Sequence, residues 1–253
     1  KKQQFIALLK EQRQSVINEA VTKGINKKVK LKDSGIKWLG NIPAHWEVKR
    51  IKNISSVISK GTTPSTMGAD TIENGNIRFL KAENLYTNEV SLFPEFFIEE
   101  KTDQMLFRSR LKENDILLVI AGATIGRIGI VKKECIPANT NQAVCFIRPD
   151  NIEPEYLLIW MQCSYFYNVL WFNANQSAQP NIAMGKISNF NVAYPPLSEQ
   201  TQIVNHIKTE TATIDTAIAK TEREIELIKE YKEAMIAEAV MGKVNFNKTV
   251  KAQ

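Results

Sequence analysis

Lys60, Thr62, Thr63 and Ser65 fall within one six-residue stretch, KGTTPS at 60–65. Lysine, hydroxyl and turn amide donors gathered this closely suit the phosphate oxygens of a nucleic acid. Arg78, Lys81, Glu83 and Asn84 follow where an apolar run meets a loop. There a base edge can be read, because arginine bridges guanine O6 and N7 while asparagine or glutamine bridges adenine N6 and N7. Two further runs carry the same side chains: Asn139, Thr140, Asn141 and Gln142, then Gln176, Ser177, Gln179 and Asn181. Any one of these also suits a turn that satisfies its own backbone. As groups, 60–65, 78–84 and 176–181 are expected to face DNA.

Residue types that would instead carry catalysis are not arranged for it. AYPPL at 193–197 resembles the [DNS]PP[YFW] tetrad of adenine methyltransferases, but Ala193 and Tyr194 precede the two prolines and Leu197 follows them. Both the amide or acid and the stacking aromatic are therefore missing. Gly122, Gly126 and Gly129 are spaced unlike GxGxxG and read as tight turns or close packing. His45 and His206 are the only histidines, and neither has a cysteine or carboxylate cluster at ligand spacing. Cys135, Cys145 and Cys163 form no CxxC and no even set, which argues against a disulfide framework or zinc and suggests a reducing cytoplasm. No catalytic residue, metal or cofactor is expected.

These groups sit in 253 residues with a net charge of +6. The charge is uneven: +3 over 1–26, +7 over 27–60, then −2, −1 and −1 over 61–150, 151–197 and 198–253. A basic segment of this kind fits a polyanion partner, as it also fits a solvated lysine-rich loop. The most apolar stretch, 156–172, carries Gln162, Ser164 and Asn168 at its centre. It is expected to be a buried helix and not a membrane span.

The elements that must position the polar groups are framed by a repeat. LLKEQRQSVINEAVTKGIN at 8–26 aligns without a gap with LIKEYKEAMIAEAVMGKVN at 227–245, with eight identities in nineteen positions. The second copy ends a long helix that follows Pro195 and Pro196, with Ser198 as the expected cap and Glu199 at its positive end. Val204, Ile207, Thr211, Ile214, Ile218, Thr221, Ile225, Ile228, Lys232, Met235 and Ala239 recur in steps of three and four, the spacing of a heptad seam. The repeat lays Ile6, Leu9, Arg13, Val16 and Ala20 on the same seam. Gly24 and Gly242 stand where helices commonly stop. Between the helices, 57–59, 77–80, 116–120, 128–131, 143–147 and 190–194 are β-rich pieces broken by Gly, Asn and Pro, and 156–172 is a helical interruption.

DSGIKWLGNIPAHWEVKRIKNI at 33–54, KGTTPS at 60–65, NDILLVIAGATIGRIGIV at 114–131, NTNQAVCFIRP at 139–149, QSAQPNIAMGKISNFNVAYPPLSEQTQIV at 176–204 and the repeated helix occur in one order. In that order they resemble the specificity subunit of type I restriction-modification enzymes, over nearly the whole chain. The resemblance implies two target recognition domains per subunit, each followed by a long helix and each reading one half of a split DNA site.

This chain holds one such domain and resembles the C-terminal half, expected as a fragment of a longer subunit. The expected architecture is α+β: 1–26 as the end of the first conserved helix, 27–197 as the recognition domain, and 198–253 as the second helix and tail. The two helices should form an antiparallel coiled coil through Leu9, Val16, Ile207, Ile214, Ile218, Ile225, Ile228 and Met235. Residues 5–22 should face 204–221, leaving 225–239 for a second copy of the chain or the other half of the subunit. Removing residues 1–26 should then strengthen self-association.

The implied function is reading one half of a bipartite double-stranded DNA site for methylation and restriction subunits, with no catalysis by this chain, in the cytoplasm and off the membrane. The DNA-facing residues are expected among Lys60, Thr62, Thr63, Ser65, Arg78, Lys81, Asn84, Gln176, Ser177, Gln179 and Asn181. The alternative is a helical scaffold for protein partners whose α/β domain binds no DNA.

Overall fold

The structure is a computed structural model that describes residues 1–86, 88–175 and 179–241. Gln176, Ser177 and Gly242, singled out above, lie outside the described residues. The chain divides into two compact units, 17–207 and a second made of 1–16 with 208–253.

The order of elements is α1 (Lys2–Lys23), β1 (Leu31–Asp33), β2 (Asn41–Pro43), β3 (Glu47–Arg50), β4 (Ser55–Lys60), β5 (Ile77–Leu80), β6 (Leu85–Tyr86), β7 (Asn88–Val90), β8 (Phe97–Ile98) and α2 (Glu100–Met105). Then come β9 (Ile116–Val119), β10 (Ile128–Ile130), β11 (Ala138–Thr140), β12 (Val144–Pro149), α3 (Pro154–Met161), α4 (Ser164–Asn173), α5 (Met184–Ile187), β13 (Asn191–Tyr194) and α6 (Leu197–Val240). This is an α+β fold. Among the described residues, no helix is long and apolar enough to cross a membrane.

The unit 17–207 is built on a six-stranded sheet of order β4-β12-β9-β10-β7-β6. Its pairs are antiparallel except β10 with β7. β9 is buried at every position, which explains its unbroken apolar run. Successive side chains of a strand point to opposite faces. Ile116 and Leu118 of β9, with Cys145 and Ile147 of β12, join a core that includes Tyr156, Trp160, Phe166 and Leu170 of α3 and α4. Leu117, Val119, Val144 and Phe146 enter a second core with Leu80, Leu85, Leu111 and Ala138. Leu80 and Ala138 belong to a three-stranded sheet, β11-β5-β8.

Where the sequence suggests one helix over 156–172 there are two, because Cys163 is extended (φ −71, ψ 152). The break is held by Asn18 of α1: its Oδ1 accepts from the Ser164 amide at 2.9 Å and its Nδ2 donates to Ser164 Oγ at 2.9 Å. The expected cap at Ser198 is also displaced. α6 starts at Leu197, two residues before a helix capped by Ser198 would, and the Glu199 and Gln200 amides donate to the Pro196 carbonyl. Gly24 closes α1 in the left-handed region, at φ +74.

In the other unit, the first turns of α1 run antiparallel to the middle of α6. Lys2 meets Glu224 at 2.6 Å, Lys10 meets Glu222 at 3.4 Å and Arg13 meets Asp215 at 2.8 Å. Ile6, Thr211, Ile214 and Thr221 are buried along this seam. The Thr221 hydroxyl is satisfied inside its own helix, donating to the Ala217 carbonyl at 2.7 Å. Leu9, Val16, Ile218 and Ile225 are half-buried, and Ile228 and Met235 are exposed.

Candidate nucleic-acid interface

KGTTPS turns sharply because two backbones touch there. A Cβ on Gly61 would stand 1.7 Å from the Thr140 carbonyl oxygen, so only glycine fits. The chain then enters a short 3-10 turn, Pro64–Met67, closed by Gly68 in the left-handed region. Thr66 bonds back to the Thr63 carbonyl through its amide at 3.0 Å and its hydroxyl at 2.7 Å. Lys60 is exposed at the end of β4 and Thr62 is half-buried.

Thr63, Pro64, Ser65, Ala69, Asp70 and Thr71 line one cleft together with Phe79, Lys81 and Asn141. Three of the expected residues, Thr63, Ser65 and Lys81, therefore converge although they come from two separate segments. The Lys81 ammonium lies 3.4 Å from the centre of the Phe96 ring, a cation held over an aromatic face. Asp70 adds a carboxylate to the lining. Asn141, from the polar run 139–142, joins the cleft, whereas its neighbours do not. Asn139 and Thr140 are fully buried: Asn139 bonds to Asp103 and Ser109, and the Thr140 hydroxyl donates to the Leu80 carbonyl.

Other expected residues are placed differently. Asn84 is buried, with its amide nitrogen donating to the carbonyls of Ser91 and Pro94 and its oxygen accepting from the Lys81 amide. All three bonds hold the loop that follows Lys81, so its edge is not offered to a base. Arg78 is partly covered, bonded to Glu95 at 3.1 Å and stacked 5.3 Å from the Phe97 ring centre. Gln179 and Asn181 are exposed near the Ala121–Gly122 backbone, where Asn181 bridges Ala121 and Asn175.

The remaining polar chemistry is structural. His45 Nε2 and the Trp46 indole both meet Glu199 Oε2, at 2.8 and 3.0 Å, which ties the start of α6 to the β2–β3 connection. Gln200, fully buried, donates to the Pro195 carbonyl and accepts from the Glu153 amide. Burial pushes the Cys145 and Cys163 thiols up to about 12 and raises Cys135, so none is a thiolate nucleophile near neutral pH. Among the described residues, no three His, Cys, Asp or Glu side chains gather as a metal site.

The architecture is thus a mixed-sheet domain with a donor-rich cleft in one unit and an antiparallel helix pair in the other. Residues 43–227 match the family described as the type I restriction modification DNA specificity domain, and the chain belongs to that family. The type I restriction enzyme EcoBI specificity subunit of Escherichia coli is 28% identical over 252 residues, taking in 96% of this chain and 52% of that protein. The MjaVIII specificity subunit of Methanocaldococcus jannaschii is 26% identical, with 94% and 55% covered. The chain thus spans about half the length of the curated relatives it matches.

The fold is shared with the HsdS subunit from Thermoanaerobacter tengcongensis, at a TM-score of 0.58 and 17% identity, covering 96% of this chain and 53% of that one. It is also shared with a chain from a structure concerned with assembly and conformational transition of the type I R-M system, at a TM-score of 0.68 and 14% identity over 96% and 54% of the two chains.

Proposed function

We propose that this chain reads one half of a bipartite double-stranded DNA site and thereby directs the methylation and restriction subunits of a type I restriction-modification complex. The observation that carries this reading is the convergence of Thr63, Ser65, Lys81 and Asn141 on one cleft of a specificity-family domain. Lys60 and Lys81 serve as phosphate cations, with hydroxyls at 62, 63 and 65 beside them, and the polar segment around Gln179 and Asn181 adds a second contact.

Chemistry on the DNA belongs to the partner subunits, and the work is done in the cytoplasm. The exposed stripe on the last turns of α6 is the seat for a second copy of the chain or for the other half of the subunit. A gel shift on duplex DNA tests the DNA reading: affinity should fall steeply as salt rises, because bound phosphates release counterions. No shift at low salt would leave the helical scaffold as the better account. Turnover of S-adenosylmethionine or ATP by the purified chain would contradict its non-catalytic role.

A further inference from the structure

We propose that Gln142 is a base-reading side chain that recognises adenine from the tip of a rigid turn, an inference that rests on the DNA-reading function above. The turn 141–144 joins β11 to β12, with Gln142 exposed at its first corner position. The Val144 amide closes it on the Asn141 carbonyl at 3.2 Å, and Asn141 Oδ1 accepts from the Ala143 amide at 3.1 Å.

The two residues before the turn are buried anchors. Asn139 is fixed by Ser109 Oγ at 2.9 Å and by Asp103, and Thr140 by the Leu80 carbonyl at 2.8 Å. Below the turn, the Gly61 amide donates to the Val144 carbonyl at 3.3 Å and its Cα presses against the Thr140 backbone. Thus the segment 139–144 spends two polar side chains on its own anchorage, a third on closing the turn, and presents the fourth to solvent.

Rigid support of this kind is what a reading side chain requires, since a loosely held amide loses its directional selectivity. Gln142 is also placed where reading is useful. The phosphate-gripping donors of KGTTPS begin at Lys60, paired with Cys145 in the β4–β12 ladder, and Asn141 lines the cleft with Thr63, Ser65 and Lys81. Phosphate contacts fix the register of a protein on the duplex, and a neighbouring side chain then meets a base edge. A glutamine amide offers one acceptor and one donor, which pair with adenine N6 and N7 across the major groove.

Selection from random duplexes, run on the full chain and its variants, tests this. The wild-type chain should enrich a motif that includes an adenine. Gln142→Ala should lose preference at that one position by about tenfold to a hundredfold, with the other positions and the salt slope unchanged. Gln142→Glu, which keeps the acceptors and removes the donor, should shift that position towards cytosine, whose N4 donates. A motif identical at every position in wild type and Gln142→Ala would overturn the assignment of Gln142 alone. A wild-type chain that enriches no motif would overturn the DNA-reading function and this inference with it.

Discussion

Lys60 and Lys81 are cations of different standing, one exposed and one resting on Phe96. If both contact phosphate, Lys60→Ala and Lys81→Ala should weaken binding to every duplex and each lower the salt slope by about one. An unchanged slope would remove them from the interface. Arg78→Ala should relax preference at one base position, at about 1 to 3 kcal/mol if it reads guanine. The Glu95 bond must first be given up, so Glu95→Ala should raise affinity, and titration of the two variants against selected and random duplexes checks both. The thiols give a pH test. Below a pH of about 8.5, the usual cysteine value, Cys145 and Cys163 are neutral whether the chain is folded or not. As pH rises beyond it the unfolded chain ionises while the folded thiols, pushed up to about 12, do not, so their contribution to stability is lost. The urea midpoint should therefore fall between about pH 8 and pH 10, and native thiols should resist alkylation at the lower value.

Among the elements, the central strands are fastened by charge as well as by apolar packing. Arg148 of β12 grips the fully buried Asp115, just before β9, through Nε and Nη2, both at 2.8 Å, while the Lys112 amide donates to the same carboxylate. Asp115→Ala leaves the guanidinium without its partner and should cost about 3 to 5 kcal/mol, read from urea unfolding. The helical pair behaves oppositely. Its ion pairs are largely exposed and Arg13→Ala should cost at most about 1 kcal/mol, whereas Ile214→Ala, at a buried seam position, should cost about 2 to 5 kcal/mol. The heptad spacing places both residues on the seam, so residue type, and not spacing, makes that difference legible in the sequence. The break between α3 and α4 is not legible, because the residue that holds it, Asn18, is more than a hundred positions away.

At the scale of the molecule, the last turns of α6 expose Leu227, Ile228, Tyr231, Ile236 and Val240. Contiguous apolar surface of this kind favours association. Because 227–235 repeats 8–16, that part of α6 in one copy can occupy the groove that residues 8–16 of α1 fill in another. Trimming α1 should therefore strengthen self-association. The cut at residue 26 suggested by the sequence is too deep, since Ile17, Ala20 and Val21 are buried in the main core with Trp46 and Ile203. A chain lacking residues 1–16 retains that core. Light scattering should show it associating more than the full chain, and a trimmed chain that stays monomeric at high concentration contradicts the pairing.

The sequence by itself determined the α+β class, the heptad seam, the apolar central strands and the donor-rich character of 60–65, because each depends on local periodicity or on residue type at short range. Tertiary structure decided which polar groups reach a surface. Asn84 and Asn139 carry the same carboxamide as Asn141, and Thr140 a hydroxyl like those of Thr62 and Thr63, yet they are buried and spent on backbone and side-chain partners. The partners of Asn84 lie in its own loop, those of Asn139 on α2 and the turn after it, and that of Thr140 on β5, and strand order is fixed by long-range pairing such as β11 with β5, 60 residues apart from Leu80 to Thr140. Composition does not encode that pairing locally. Only the packed sheet distinguishes a side chain that anchors a loop from one that the loop presents.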